Sequence, residues 1–88
     1  MKRVALKLYV AGLTPRSTQA VSNVLKLCEE AFPGEYQLTV VDILEEPDQA
    51  DMERILATPT LIRELPLPRR RIVGDLSDSA ALVSGLEL

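Results

Sequence analysis

Val4, Leu6, Leu8 and Val10 alternate with Ala5, Lys7 and Tyr9. A period of two with one wholly apolar face and a second that can be covered is the pattern of a central strand. Ala11-Gly12-Leu13 breaks the period, Thr14 is placed to cap a helix, and Pro15 suits its first position, where a missing N–H leaves nothing unpaired. Apolar residues then recur at intervals of one to four, at Val21, Val24, Leu25, Cys28 and Phe32, until Pro33-Gly34 stops the helix. Tyr36 to Ile43 reads as a second strand, so strand, helix and strand imply a parallel pair with a right-handed crossover. Glu45-Glu46-Pro47-Asp48 opens a shorter helix whose buried side is predicted at Met52, Ile55 and Leu56. Thr60 to Leu65 and Arg70 to Val73 are predicted as an antiparallel pair, with Pro66-Leu67-Pro68 in the turn because neither proline can donate to a central ladder. Ser77 is the expected cap of a last helix containing Leu82, Val83 and Leu86. That helix has a divided preference. Gly85 weakens it by about 1 kcal/mol relative to alanine, and Leu82, Ser84, Leu86 and Leu88 also alternate as a strand would.

This order predicts an α/β fold of the thioredoxin-like type, βαβαββα, with a four-stranded mixed sheet and helices on both faces. At 88 residues the chain is read as a single domain, 1–88, with one modest core. A domain of this size has a small margin of stability, so association with a second copy is a natural remedy.

Thirteen acids against ten bases give a net charge of -3, with no footprint for nucleic acid or an anionic membrane. Arg69-Arg70-Arg71 is the one basic run, and no aromatic platform accompanies it. No apolar stretch approaches the ~20 residues that span a bilayer, and a cytoplasmic location is expected. The single cysteine excludes an intramolecular disulfide and a multi-cysteine zinc site, and no histidine is present as ligand or general base. Cys28 falls on the apolar stripe of helix one and reads as a small buried hydrophobe. A thiol-disulfide oxidoreductase of this fold needs a cysteine at the start of that helix, where the sequence is Leu13-Thr14-Pro15-Arg16-Ser17. The carboxylates of Glu29-Glu30, Glu45-Glu46, Asp75 and Asp78 read as solvated helix surface or helix starts. The four glycines are scattered, so no phosphate-cradling loop forms. No enzyme activity and no cofactor are expected.

Three groups of residues carry a resemblance over nearly the whole chain: Leu6-Lys7-Leu8-Tyr9-Val10-Ala11-Gly12 with Thr14-Pro15; Ile55-Leu56-Ala57-Thr58-Pro59-Thr60-Leu61; and Leu65-Pro66-Leu67-Pro68 with Gly74-Asp75-Leu76. Together they resemble the KaiB family of clock proteins. The resemblance implies two interconverting folds, a thioredoxin-like monomer and a ground state whose C-terminal half is rebuilt and which associates as a dimer or tetramer. It further implies that the thioredoxin-like form binds KaiC, a hexameric ATPase, and then engages KaiA or a histidine kinase. The Thr58-Pro59 step before the third strand is also where thioredoxin-like proteins typically place a cis proline. By the same resemblance Pro59, Pro66, Pro68, Gly85 and Glu87 are the fold-switch positions, with Glu87 standing where an aspartate is usual, and Arg54, Arg70 and Arg71 are partner-binding. On this basis Gly85→Ala is expected to favour the helical form.

The departures matter as well. Gln19, Thr39 and Glu45 stand where the family typically has basic residues, which removes positive charge from the face implicated in KaiA recognition. The resemblance therefore implies a divergent or non-cyanobacterial member that binds a KaiC homologue more readily than it sequesters KaiA. A thioredoxin-like adaptor or sensor module for a signalling kinase, without redox activity, is the alternative reading.

Overall fold

A computed structural model describes residues 3–88; residues 1 and 2 of the expected domain lie outside the described part. Seven elements follow one another: β1 (Val4–Val10), α1 (Pro15–Ala31), β2 (Tyr36–Asp42), α2 (Pro47–Met52), β3 (Thr60–Leu65), β4 (Arg70–Val73) and α3 (Ser79–Leu86). The strands form one mixed sheet in the order β2-β1-β3-β4. The most apolar strand, β1, is central, parallel to β2 and antiparallel to β3. A βαβαββα thioredoxin-like fold is thus what the alternating pattern encodes.

The period of two in β1 divides the interior. Leu6, Leu8 and Val10 join Leu61 on one face and pack with Val24 and Cys28 of α1, Leu82 and Leu86 of α3, and Leu76. Tyr9 points the other way with Val41 and Ile62, where Ile43 and Ile55 pack against them. This second face lies beneath α2, whose Gln49 shares a groove with Lys7 and Thr39. Thr14 caps α1 as expected, its Oγ1 accepting the Ser17 N–H at 3.1 Å. The stripe that α1 buries is Ala20, Val24, Leu27 and Cys28, while Leu25 is exposed and Val21 and Phe32 are half-buried.

Two expectations need correction. The second helix ends at Met52, and Arg54 takes a left-handed conformation with φ 53°. Helical spacing therefore does not continue to residues 55 and 56. Ala50 and Ile55 provide the apolar contacts, while Met52 and Leu56 are 83% and 95% exposed. At the third helix the cap is Asp78, not Ser77. Its Oδ1 accepts from Ala80 and Ala81 N–H at 3.0 and 3.2 Å, whereas the Ser77 N–H is taken up by Asp75 Oδ1. A carboxylate one residue later outcompetes the hydroxyl because it can accept from two of the orphan donors of the first turn. Thr58–Pro59 is cis, as are Leu65–Pro66 and Leu67–Pro68.

Candidate functional site: a partner-binding end of the sheet

The loops after β1 and β2 and the segment leading into β3 emerge at one end of the sheet. Asp42, at the tip of β2, organises it: its Oδ1 accepts both the Gly12 and the Leu44 N–H at 2.9 Å. Gly12 holds φ +75°, and a Cβ there would come within 3.3 Å of Leu44 Cδ1, so glycine lets the two loops close on each other. With the backbone polar groups turned inward, the adjoining leucines face out. Leu13 is 97% exposed, Leu44 is largely exposed, and Leu56 extends from the third segment. Thr60 Oγ1 donates to the Ala57 carbonyl at 2.6 Å and the Gly74 N–H to the Pro59 carbonyl at 3.1 Å, which fixes the chain on both sides of Pro59. Asp42, Glu45, Glu46 and Asp48 surround this end with negative charge. Exposed aliphatic side chains on a hydrogen-bonded frame suit association with another protein.

The three arginines expected to bind a partner occupy different settings. Arg54 sits at the left-handed turn that ends α2. Arg71 donates to the carbonyls of Glu53 and Arg54, at 2.7 and 3.3 Å, and so clamps this turn onto β4. Arg70, farther along β4, pairs with Glu87 at 3.0 Å. Arg54 and Arg71 are therefore brought together beside the segment that carries Leu56, and Arg70 is not. Arg69 bridges Glu53 and Glu64, and these hydrogen bonds hold its guanidinium above the ordinary range.

The expected fold-switch positions separate into two groups. Pro59 lies at the partner end, whereas Pro68 and Glu87 are joined at the opposite end of β3 through a residue that sequence reading missed, with Pro66 two residues before Pro68 and Gly85 two before Glu87. Arg63 is 4% exposed, and its Nη1 donates to the carbonyls of Leu86 and Glu87 at 2.7 and 2.9 Å while Nη2 donates to that of Pro68 at 2.6 Å. Its inward parity with Leu61 on β3 was the available signal. Glu87 itself is left-handed, with φ 55°, and closes α3 by the paired bonds of a Schellman motif, Leu88 N–H to Val83 and Glu87 N–H to Ser84. A Cβ on Gly85 would come to 2.9 Å from Ile72 Cδ1, so alanine there carries a packing penalty that helix propensity alone does not reveal.

Redox chemistry has no thiol at the start of α1, where the Thr14 and Ser17 hydroxyls bond each other at 3.1 Å. Cys28 is fully buried, and burial, followed by the charge of Glu29, pushes its thiol up to about 11. Among the described residues no helix is long and apolar enough to cross a membrane.

The KaiB domain family matches residues 7–88. The chain is 51% identical over 87 residues to the circadian clock oscillator protein KaiB of Synechococcus elongatus, covering 99% of this chain and 85% of that one. It is 41% identical over 88 residues to the circadian clock protein KaiB3 of Synechocystis sp., covering the whole of this chain and 86% of the other. Among solved structures, the N-terminal domain of Synechococcus elongatus SasA superposes with a TM-score of 0.78 at 25% identity, covering 99% of this chain and 86% of that one. Yeast mitochondrial thioredoxin 3 does so at 0.74 and 21%, covering 98% and 78%, which shows the fold alone. An alternating central strand, a capped but thiol-free helix one, the Thr58–Pro59 segment and relatives aligned along almost the entire length lead to one conclusion: the chain belongs to the KaiB family of circadian clock proteins.

Proposed function

We propose that this chain is a non-enzymatic, cytoplasmic clock regulator that binds a KaiC-type hexameric ATPase by reversible association and modulates its phosphorylation or output. The observation that carries the reading is the end of the sheet at which Leu13, Leu44 and Leu56 stand exposed on loops held by Asp42 and by the Arg71 clamp. Exposed apolar side chains on a pre-organised frame bind with little ordering cost, so a few leucines can dominate the affinity. Arg54 adds a cation beside Leu56 that favours an acidic patch on the partner. Pro66, Pro68, Gly85 and Glu87 lie away from this surface and act on the conformation of the C-terminal half, whose rebuilt form associates into dimers or tetramers. Mixing the chain with a KaiC-type ATPase and following complex formation by size-exclusion chromatography, together with the ATPase rate, tests the proposal. A stable complex and an altered rate are expected; a chain that neither co-elutes nor changes the rate would refute it.

The similarity to the SasA N-terminal domain supports a second reading, an adaptor that occupies the same partner surface as such a domain. Competition between the two for one ATPase would establish it, and simultaneous binding would remove it.

A further inference from the structure

The sheet has two edges, and they are built differently. β4 is four residues long, carries Arg70 and Arg71, and follows a turn with two prolines, all features that keep a further strand from adding to it. β2 is seven residues long, and from Tyr36 to Val41 it has neither a charge nor a proline. Its register with β1 runs without a bulge from Tyr36 to Asp42. The Val4 N–H donates to the Glu35 carbonyl and the Ile43 N–H to that of Val10, so in this parallel pair the odd-numbered residues of β2 turn their main chain toward β1. The N–H and C=O groups of Tyr36, Leu38 and Val40 therefore point away from the sheet, and among the described residues no strand pairs there.

We infer that this edge takes a second copy of the chain in its thioredoxin-like form, as an antiparallel β2–β2 pair about a two-fold axis at Thr39. In that register Thr39 meets Thr39, Leu38 meets Val40 and Gln37 meets Val41, so every facing pair between residues 37 and 41 is uncharged. At the ends Tyr36 meets Asp42, and the outward groups of the whole strand are used. The Leu38–Val40 pairs fall on the side of the sheet that α1 covers. There Leu38 packs against the core, and Val40 lines an apolar groove of about 730 Å³ between α1 and β2 with Val10, Val21 and Leu25. A strand added to β2 extends the floor of this groove and brings an identical groove to face it, so that Leu25 and Val40, 40% and 45% exposed in one chain, are covered in both. Pairing of two strands is marginal in water by itself, and this apolar burial is what makes the pair hold. The pairing draws on β1, α1 and β2 alone, so it depends neither on the proposed partner surface nor on a rebuilt C-terminal half.

Sedimentation equilibrium over a range of chain concentrations, with NMR on a mixture of isotope-labelled and unlabelled chain, tests this. The mass should rise from that of one chain toward that of two, and an intermolecular contact should appear between the Thr39 Hα protons of the two copies, which a non-hydrogen-bonded antiparallel pair brings close. Thr39→Lys sets like charges across the axis, beside Lys7 of each copy, and should weaken association about fivefold. Val40→Lys puts a cation into the groove at two symmetric places and should weaken it by about tenfold or more. Thr39→Val, neutral and well suited to a strand, should keep it. Thr39 and Val40 are both exposed in the single chain, so circular dichroism should report an intact fold for all three variants. A chain that stays monomeric at every concentration, or an association that lacks the Thr39 contact and is unmoved by Val40→Lys, would overturn the inference. So would a β2 edge that becomes paired only when a different protein is added, since the occupant would then be a foreign strand.

Discussion

The two halves of the molecule are held in different ways. From Val4 to Asp42, the stabilising features are local or apolar: an alternating strand, a seventeen-residue helix with its own hydroxyl cap, and a parallel strand pair closed over Leu6, Leu8, Val24 and Cys28. From Thr60 to Leu86, Leu61, Leu76, Leu82 and Leu86 complete the same apolar core, but the elements are short and long-range polar ties are added to that burial: Arg63 to carbonyls 23 and 24 residues away, Arg70 to Glu87, and the Arg71 clamp on the end of α2. A half that rests on apolar burial alone tolerates changes to surface charge, whereas one that adds a few directed contacts to its share of the core can also be loosened or tightened by substitutions at those contacts. Regulation by conformational change draws on the second kind of structure.

The largest effect should come from the first half. Leu8→Ala removes a fully buried side chain from the central strand and should lower global stability by about 3 kcal/mol, read from urea unfolding followed by circular dichroism. A loss confined to one half would show that β1 does not unite the two. Alkaline pH should act through the same core. Because the Cys28 thiol titrates near 11 in the folded state against an ordinary value of 9, its contribution is intact below pH 9 and is lost as pH rises toward 11. Cys28→Ser should flatten that alkaline limb, and an unchanged limb would show that Cys28 does not set it.

In the second half, Glu87→Gly should stabilise α3 by about 1 kcal/mol by relieving the left-handed backbone, against a small loss from the exposed Arg70 pair. Thermal unfolding and exchange of the α3 amides measure this, and destabilisation would mean that the ion pair outweighs the backbone term. Gly85→Ala has the smallest expected effect, within about 0.5 kcal/mol of zero, because a helix gain of about 1 kcal/mol is offset by displacement of Ile72. Placing the same alanine in an Ile72→Val background, which removes the Cδ1 in its way, should recover most of the gain. Additive behaviour in that double-mutant cycle would show that the two positions do not touch.

The strands, the first helix and its Thr14 cap were legible because they rest on periodicity and on contacts within a few residues. Leu56 was misread for a definite reason: it lies in phase with α2, but a left-handed Arg54 ends the helix before it, and a non-glycine residue gives no sign in sequence of adopting that conformation. Asp42 reads as an ordinary strand end until the loops it joins, thirty residues apart, are seen together. Arg63 could be assigned inward by parity with Leu61, yet its acceptors are main-chain carbonyls, which no side-chain pattern marks. Arg71 and Arg70, adjacent in sequence, are directed to opposite faces of the sheet by the alternation of β4, one toward the end of α2 and the other toward the end of α3.

The assignment of the partner surface is tested most directly by binding isotherms with a KaiC-type hexameric ATPase, comparing wild type with Leu56→Glu at the partner end of the sheet and Arg70→Glu near the other. Both substitutions place a negative charge on an exposed position, and circular dichroism should report an intact fold for each. Wild type should bind, Leu56→Glu should weaken binding at least tenfold through loss of an apolar anchor, and Arg70→Glu should stay within about threefold of wild type. Failure of the wild type to bind, or Leu56→Glu binding as tightly as wild type, would contradict the assignment of this end of the sheet as the partner surface.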